Sequence, residues 1–293
     1  MELGDLTPLA GGWSGQTFLA DASGERSVVR IYPPGVRDVA APEIDAAVLH
    51  LVRGLVPVPD VLEVRRGLAA ADRPGLLVTA FLPGERGDLV LPGLDDTDAA
   101  TIGRHVGALT ADLAGMPTLR AGPFVDPDLT IGDFPLADGL PGFVQDMAGD
   151  LGWEPSLVDR LLGLAERAQE LLDTVGRTCV VHSDLNPKNV LVDRTTLQVV
   201  ALLDWEFAHS GHPFTDLGNA VRFDRRPAYA DAVLAAWCER RGADPAEALE
   251  LARAADLWAL VDLAARHGRN PVADRAHEHL TAIARTGDLH TTP

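Results

Sequence analysis

The chain has 293 residues, of which 46% are hydrophobic and 5% aromatic, with a formal net charge of −18. That length supports a large core, in one big domain or two lobes, and the Ala, Leu and Val content favours helices over an all-β sandwich. The 43 Asp and Glu against 25 Lys and Arg argue against a nucleic-acid binder, whose phosphate contacts need basic residues, and suit a cationic ligand. No apolar run approaches the ~20 residues of a membrane span. The acidic start Met1-Glu2-Leu3-Gly4-Asp5 lacks the basic and apolar segments of a signal peptide. Cys179 and Cys238 make no CxxC pair and fit a reducing compartment as small buried hydrophobes. The expectation is a soluble, cytoplasmic protein with no nucleic-acid and no membrane partner.

The first third reads as strands with one helix. Gln16–Ala20 and Ser27–Tyr32 are short β-type runs split by the turn residues Asp21-Ala22-Ser23-Gly24. Pro33-Pro34-Gly35 ends the second run. A helix is predicted from about Pro42 to Arg53, with Ile44, Val48, Leu51 and Val52 on one face. Strands follow at Val61–Arg65 and Leu76–Phe81. Leu82-Pro83-Gly84 is a turn, and a lobe boundary is placed near residues 82–88. Beyond it Asp96–Leu113 and Ser156–Val175 read as amphipathic helices, with a Pro-, Gly- and Asp-rich loop at Leu119–Asp138. Three short β runs, Cys179–Val181, Val190–Val192 and Val199–Leu203, precede a nearly all-helical stretch from Asp216 to Arg285. The order implies an α+β chain: a small β-rich lobe at residues 1–84, a larger and mainly helical lobe at 85–293, and a ligand cleft between them.

The chemistry is concentrated in one segment. Val181-His182-Ser183-Asp184-Leu185-Asn186-Pro187-Lys188-Asn189 sets polar residues between apolar β runs, and Leu202-Leu203-Asp204-Trp205-Glu206 again ends a buried-looking strand on an acid. Phosphoryl transfer needs one carboxylate to orient the attacking hydroxyl and oxygen ligands to hold magnesium against the phosphates. Protein kinases meet these needs with a loop Asp, an Asn five residues later and an Asp on the next hairpin. Asp184, Asn189 and Asp204 stand at those offsets, and His182 stands two residues before Asp184.

His-x-Asp-x-x-x-x-Asn followed by Leu-Leu-Asp-Trp-Glu resembles the catalytic region of the aminoglycoside phosphotransferases and the choline-kinase-like small-molecule kinases. The resemblance covers most of the chain. Gly11-Gly12-Trp13-Ser14-Gly15-Gln16 resembles the family's phosphate-covering loop, Val28-Val29-Arg30-Ile31-Tyr32 the strand with the phosphate-pairing cation, and Asp216 a structural Asp. It implies a two-lobe protein-kinase-like fold using ATP or GTP with Mg2+. Asp184 is then the catalytic carboxylate, and Asn189 and Asp204 are the metal ligands. Arg30, Ser14, Gly15 and Lys188 face the nucleotide phosphates. A helix acid pairs with Arg30: Glu43 has the longer side chain, while the spacing to Leu49 suits Asp45. Thr110 replaces the family's His after Leu109, which bears on substrate contacts rather than on the reaction.

Bland roles compete at several positions. His182 reads as loop support, Glu206 as a second metal contact or a turn cap, and His209 with His212 as no metal site, because no further ligand stands at suitable spacing. Trp13 at a loop tip is either exposed or over a ligand. Asp224, Asp256 and Asp262 are candidates to line an acceptor pocket. The expected activity is O-phosphorylation of a small cationic molecule, an aminoglycoside or another cationic antibiotic of the tuberactinomycin type, giving resistance. The alternatives are a metabolic kinase for choline, homoserine or a sugar-like acceptor, and a nucleotide-binding pseudokinase.

Overall fold

The computed structural model describes residues 6–9, 16–22, 24–68, 71–134, 139–223 and 226–292. The early β-branched runs form one antiparallel sheet. It contains β1 (Leu6–Pro8), β2 (Gln16–Ala22), β3 (Glu25–Tyr32), β4 (Val61–Arg65) and β5 (Gly75–Ala80), in the order β1-β2-β3-β5-β4. At the β2–β3 turn, Asp21 accepts a hydrogen bond from the Gly24 N–H at 3.1 Å. Gly24 has φ +89°, a conformation glycine adopts without steric cost. The register pairs Arg30 with Thr17 on one side and with Leu77 on the other. A two-residue period then puts Arg30 and Tyr32 on the same face.

Helix α1 (Ala41–Val52) follows β3, with Pro42 in its first turn, where a missing N–H costs nothing. It buries Ala41, Ala46, Val48, Leu49 and Val52 and contacts β4 and β5. The approach is close: a Cβ on Gly75 would lie 2.5 Å from the Pro42 side chain.

The later strands are β6 (Glu85–Arg86), β7 (Pro117–Thr118), β8 (Gly122–Pro123), β9 (Thr178–Val181), β10 (Val190–Val192), β11 (Val199–Leu202) and β12 (His209–Gly211). They form two small antiparallel sheets, β11-β10-β6 and β7-β9-β12-β8. Around them pack α2 (Gly87–Val90), α3 (Asp96–Ala114), α4 (Gly139–Leu151), α5 (Pro155–Leu172), α6 (Thr215–Ala220), α7 (Pro227–Arg241), α8 (Pro245–Ala264) and α9 (Pro271–Thr286). Asp95, Asp244 and Asn270 cap α3, α8 and α9 through side-chain bonds to first-turn N–H groups. Helices α3 and α7 meet backbone to backbone, because Gly103 and Gly107 present no side chain there. A Cβ on Gly107 would sit 2.1 Å from the Val233 carbonyl oxygen.

The architecture is the expected α+β arrangement, a β-rich first part and a helical remainder. Sequence reading assigns no element to Gly139–Leu151, where α4 forms, and the loop expected at 119–138 contains β8. Among the described residues no helix is long and apolar enough to cross a membrane.

Candidate active site

The loop between β9 and β10 is built around the buried Asp216 of α6. Its carboxylate accepts from the N–H groups of His182 at 2.9 Å and Ser183 at 2.8 Å. Burial pushes this carboxyl up, while the neighbouring His182 imidazole and the two N–H donors pull it back toward the ionised form. Ser183 sits at φ +67°, a left-handed conformation costing a non-glycine residue roughly 1–2 kcal/mol. The anchoring by Asp216 offsets that cost and turns the next residue, Asp184, out of the strand.

Asp184 is held on both oxygens. Oδ1 accepts from the Asn186 side-chain amide at 2.8 Å, and Oδ2 from the Asn189 amide at 2.8 Å. Each amide also reaches the Asp184 carbonyl. These bonds fix the Asn189 side chain with its Nδ2 toward Asp184, so its Oδ1 is the atom left for another ligand. His182 has both ring nitrogens committed. Nδ1 accepts from the Asp184 N–H at 3.3 Å, so Nε2 carries the proton and donates to the Leu203 carbonyl at 2.8 Å. Its ring lies 4.6 Å from that of Trp205. His182 supports the loop and has no nitrogen free for proton transfer.

The same Leu203 ties the loop to the next turn. Its N–H donates to the Asn189 carbonyl at 2.8 Å. Asp204 follows at φ +64°, a left-handed conformation at the start of the next turn. A short 3₁₀ turn, Trp205–Phe207, carries Glu206 just beyond it.

Arg30 reaches this turn from β3. Its Nη1 donates to Asp204 Oδ1 at 2.7 Å, and its Nη2 pairs with Glu206 Oε2. Burial alone would loosen the Arg30 proton, but the charges of Asp204 and Glu206 hold it firmly. Burial, then the charge of Asp204, pushes the Glu206 carboxyl up, against the pull of Arg30 and Arg37.

The helix acids do not take Arg30, which corrects the expectation that Glu43 or Asp45 pairs with it. Glu43 lies on the exposed side of α1 and pairs with Arg66 at 3.2 Å. Asp45 is buried and holds Arg37 through two bonds of 2.7 and 2.9 Å, while also accepting from the Tyr32 hydroxyl at 2.7 Å. Glu43 points away because α1 buries the face carrying Asp45, Val48 and Leu49. Sequence reasoning missed Arg37, and little in the sequence marks it, since it lies in the connection between β3 and α1.

Lys188 lies in the same loop, its N–H donating to the capping Asn186 side chain at 3.0 Å. It is the only lysine of the chain, and its ammonium makes no ion pair with a described residue. Ser14, Gly15, Trp13 and Asp224 lie outside the described residues. Asp256 is buried in an ion pair with Arg222 at 2.7 Å, and Asp262 pairs with Arg266, so neither is a free lining acid. A cavity of about 570 Å³ opens instead at the start of α9, lined by Arg222, Phe223, Asp274, Arg275, Glu278 and His279.

The donor set near Asp204 suits a hard cation. Asn189 Oδ1 and the Asp204 carboxylate are oxygen ligands of the magnesium type. Among the described residues no three His, Cys, Asp or Glu side chains converge on a metal position. A cation held by Asn189 and Asp204 therefore needs further oxygens from a bound phosphate or water.

Residues 5–251 match the model of the phosphotransferase enzyme family, APH. The chain belongs to that family. Among solved structures it is similar to a thermostable mutant of aminoglycoside phosphotransferase APH(4)-Ia in ternary complex with ADP and hygromycin B. That likeness has 18% identity and a TM-score of 0.68, covering 97% of this chain and 95% of the other. It is also similar to the GDP complex of an aminoglycoside 2'-phosphotransferase-IIIa mutant, at 17% identity and a TM-score of 0.71, covering 99% and 94%. These identities speak for the kinase-like fold. Among curated relatives, acyl-CoA dehydrogenase family member 11 of Mus musculus is 28% identical over 95 residues, 26% of this chain. That of Gallus gallus is 39% identical over 44 residues. The matches span 12% and 6% of those much longer proteins. Family and fold together make the chain a phosphotransferase-family protein with a kinase-like architecture.

Proposed function

We propose that this chain uses Mg2+ and ATP or GTP to phosphorylate a hydroxyl of a small cationic acceptor in the cytoplasm. An aminoglycoside or another cationic antibiotic, such as a tuberactinomycin, fits best, and its phosphorylation would confer resistance. The observation carrying this reading is Asp184, fixed on both oxygens by Asn186 and Asn189 in a loop stitched to the Asp204 turn. A carboxylate so held can align a hydroxyl and accept its proton without reorganising. The hydroxyl oxygen bonds the γ-phosphorus as the bond to the bridging oxygen breaks. The nucleoside diphosphate leaves, and Asp184 takes the proton.

The remaining roles follow from position. Asn189 and Asp204 would hold the cation, which supplies charge neutralisation at the phosphates. Arg30 and Lys188 would meet phosphate oxygens, as would Ser14 and Gly15. The lobes divide at residue 84, so Arg30 comes from the small lobe and all the carboxylates from the large one. The net charge of −18 favours a cationic acceptor. Asp274 and Glu278 in the α9 cavity offer it carboxylates. The neighbours complexed with ADP or GDP, one of them with hygromycin B, agree with nucleotide use and an aminoglycoside. An added phosphate blocks target binding by charge and bulk.

A second reading rests on the curated relatives, whose name places them with acyl-CoA dehydrogenases rather than with resistance. Under it the acceptor is a metabolic alcohol such as choline, homoserine or a sugar. Expression in a sensitive host distinguishes the two. Protection against one cationic antibiotic, lost with Asp184→Ala, supports resistance. Turnover with only a metabolic alcohol and no protection contradicts it.

A further inference from the structure

Kinase-like folds need an acid to hold the phosphate-facing cation, and here the helix acids are spent elsewhere. Asp45 is committed to Arg37 and Tyr32, and Glu43 to Arg66. The Arg30 fork is instead divided between two carboxylates of the Asp204 turn, Nη1 on Asp204 and Nη2 on Glu206. The Glu206 side chain is only 2% exposed, whereas that of Asp204 is 17% exposed. Its backbone is braced as well, because Arg37 Nη2 donates to the Glu206 carbonyl at 3.3 Å. The Arg37–Asp45 pair thus fixes the turn from the side of α1.

We propose that Glu206 is a positioning residue that replaces the helix acid: it holds one arm of Arg30 and so keeps the Asp204 carboxylate available to a divalent cation. The inference rests on the nucleotide- and metal-dependent reading given above. Its physical basis is the preference of a guanidinium for a bidentate carboxylate. Without Glu206, the Nη2 arm that it holds can turn to the neighbouring Asp204, and a cation must compete with more of the fork for the same oxygens. Glu206 then acts on the metal through Arg30, without touching it.

Titration with Mn2+ followed by electron paramagnetic resonance tests this with no acceptor present, at a saturating non-hydrolysable nucleotide. Glu206→Gln is expected to weaken Mn2+ binding roughly tenfold, the size of one lost charge-assisted bond. Glu206→Asp keeps a carboxylate and should recover part of that loss. In an Arg30→Gln background, where nothing competes for Asp204, Glu206→Gln should have no further effect. Thermal melting checks that each variant is folded. Weakening that persists in the Arg30→Gln background shows that Glu206 acts on the cation without Arg30 and overturns the proposal. So does Mn2+ binding by folded Glu206→Gln equal to that of the wild type. A wild-type chain that takes up neither nucleotide nor Mn2+ overturns the functional reading itself, and this inference with it.

Discussion

At the residue scale the site is a set of short fixed contacts around Asp184, and its consequences are local. Asp184→Asn keeps the shape but removes the proton acceptor, so turnover should fall by about 10²–10⁴-fold with little change in melting temperature. Steady-state kinetics and a melt on the same preparation check both. Buried histidines contribute to the loss of stability in acid. Burial drives the His212 imidazole down from 6.5 to about 4, and burial lowers His209 too. The unfolded chain binds a proton near 6.5 that the native chain refuses until about 4, so stability is lost as pH falls through that window. Urea titrations at about pH 7.5 and about pH 5 should differ by about 2 kcal/mol from His212, and His212→Gln should flatten the difference. The Asp184–Asn189 contact was legible in the sequence, because the two lie five residues apart in one loop. The partners of Arg30 were not. Asp204 and Glu206 stand 174 and 176 positions away, and choosing them required knowing that α1 buries Asp45 and leaves Glu43 to Arg66.

At the scale of elements, helix contacts decide which glycines are replaceable. Gly107→Ala in α3 drives a methyl to within 2.1 Å of the Val233 carbonyl oxygen of α7. Backbone has to move, and the expected cost is at least about 2 kcal/mol. Gly163→Ala in α5 meets only the end of the Arg167 side chain, at 3.8 Å, and should stabilise by about 0.5–1 kcal/mol through helix propensity. Chemical denaturation of the two variants reads both signs. Most elements were legible from β-branched runs, helical periodicity and turn residues. Helix α4 was not, because Gly139, Pro141, Gly142 and Gly149 mask its pattern. It is helical through the burial of Leu140, Phe143, Val144 and Leu151, a tertiary gain that local propensity does not register.

At the scale of the molecule, one buried ion pair joins the core to the α9 cavity. Arg222 and Asp256 meet at 2.7 Å, with Asn219 donating to the same carboxylate at 2.9 Å. Asp256→Ala removes the buried carboxylate opposite Arg222 and should cost about 3–5 kcal/mol, measured by guanidinium titration. Replacing both partners with apolar residues should recover part of that loss, since the buried charge is removed with its partner. The cavity at α9 is lined by Asp274 and Glu278, whereas Asp256 and Asp262 are held in ion pairs. A run of helices does not reveal in the sequence which of its faces lines a cavity.

The central claim is that Asp184 directs phosphoryl transfer from a nucleotide to a hydroxyl of a small cationic acceptor. Mass spectrometry of a panel of cationic antibiotics and small alcohols, incubated with ATP or GTP and Mg2+, tests it most directly. The account predicts one cationic acceptor heavier by a single phosphate with the wild-type chain and unchanged with Asp184→Ala. Equal phosphorylation by both chains would contradict it.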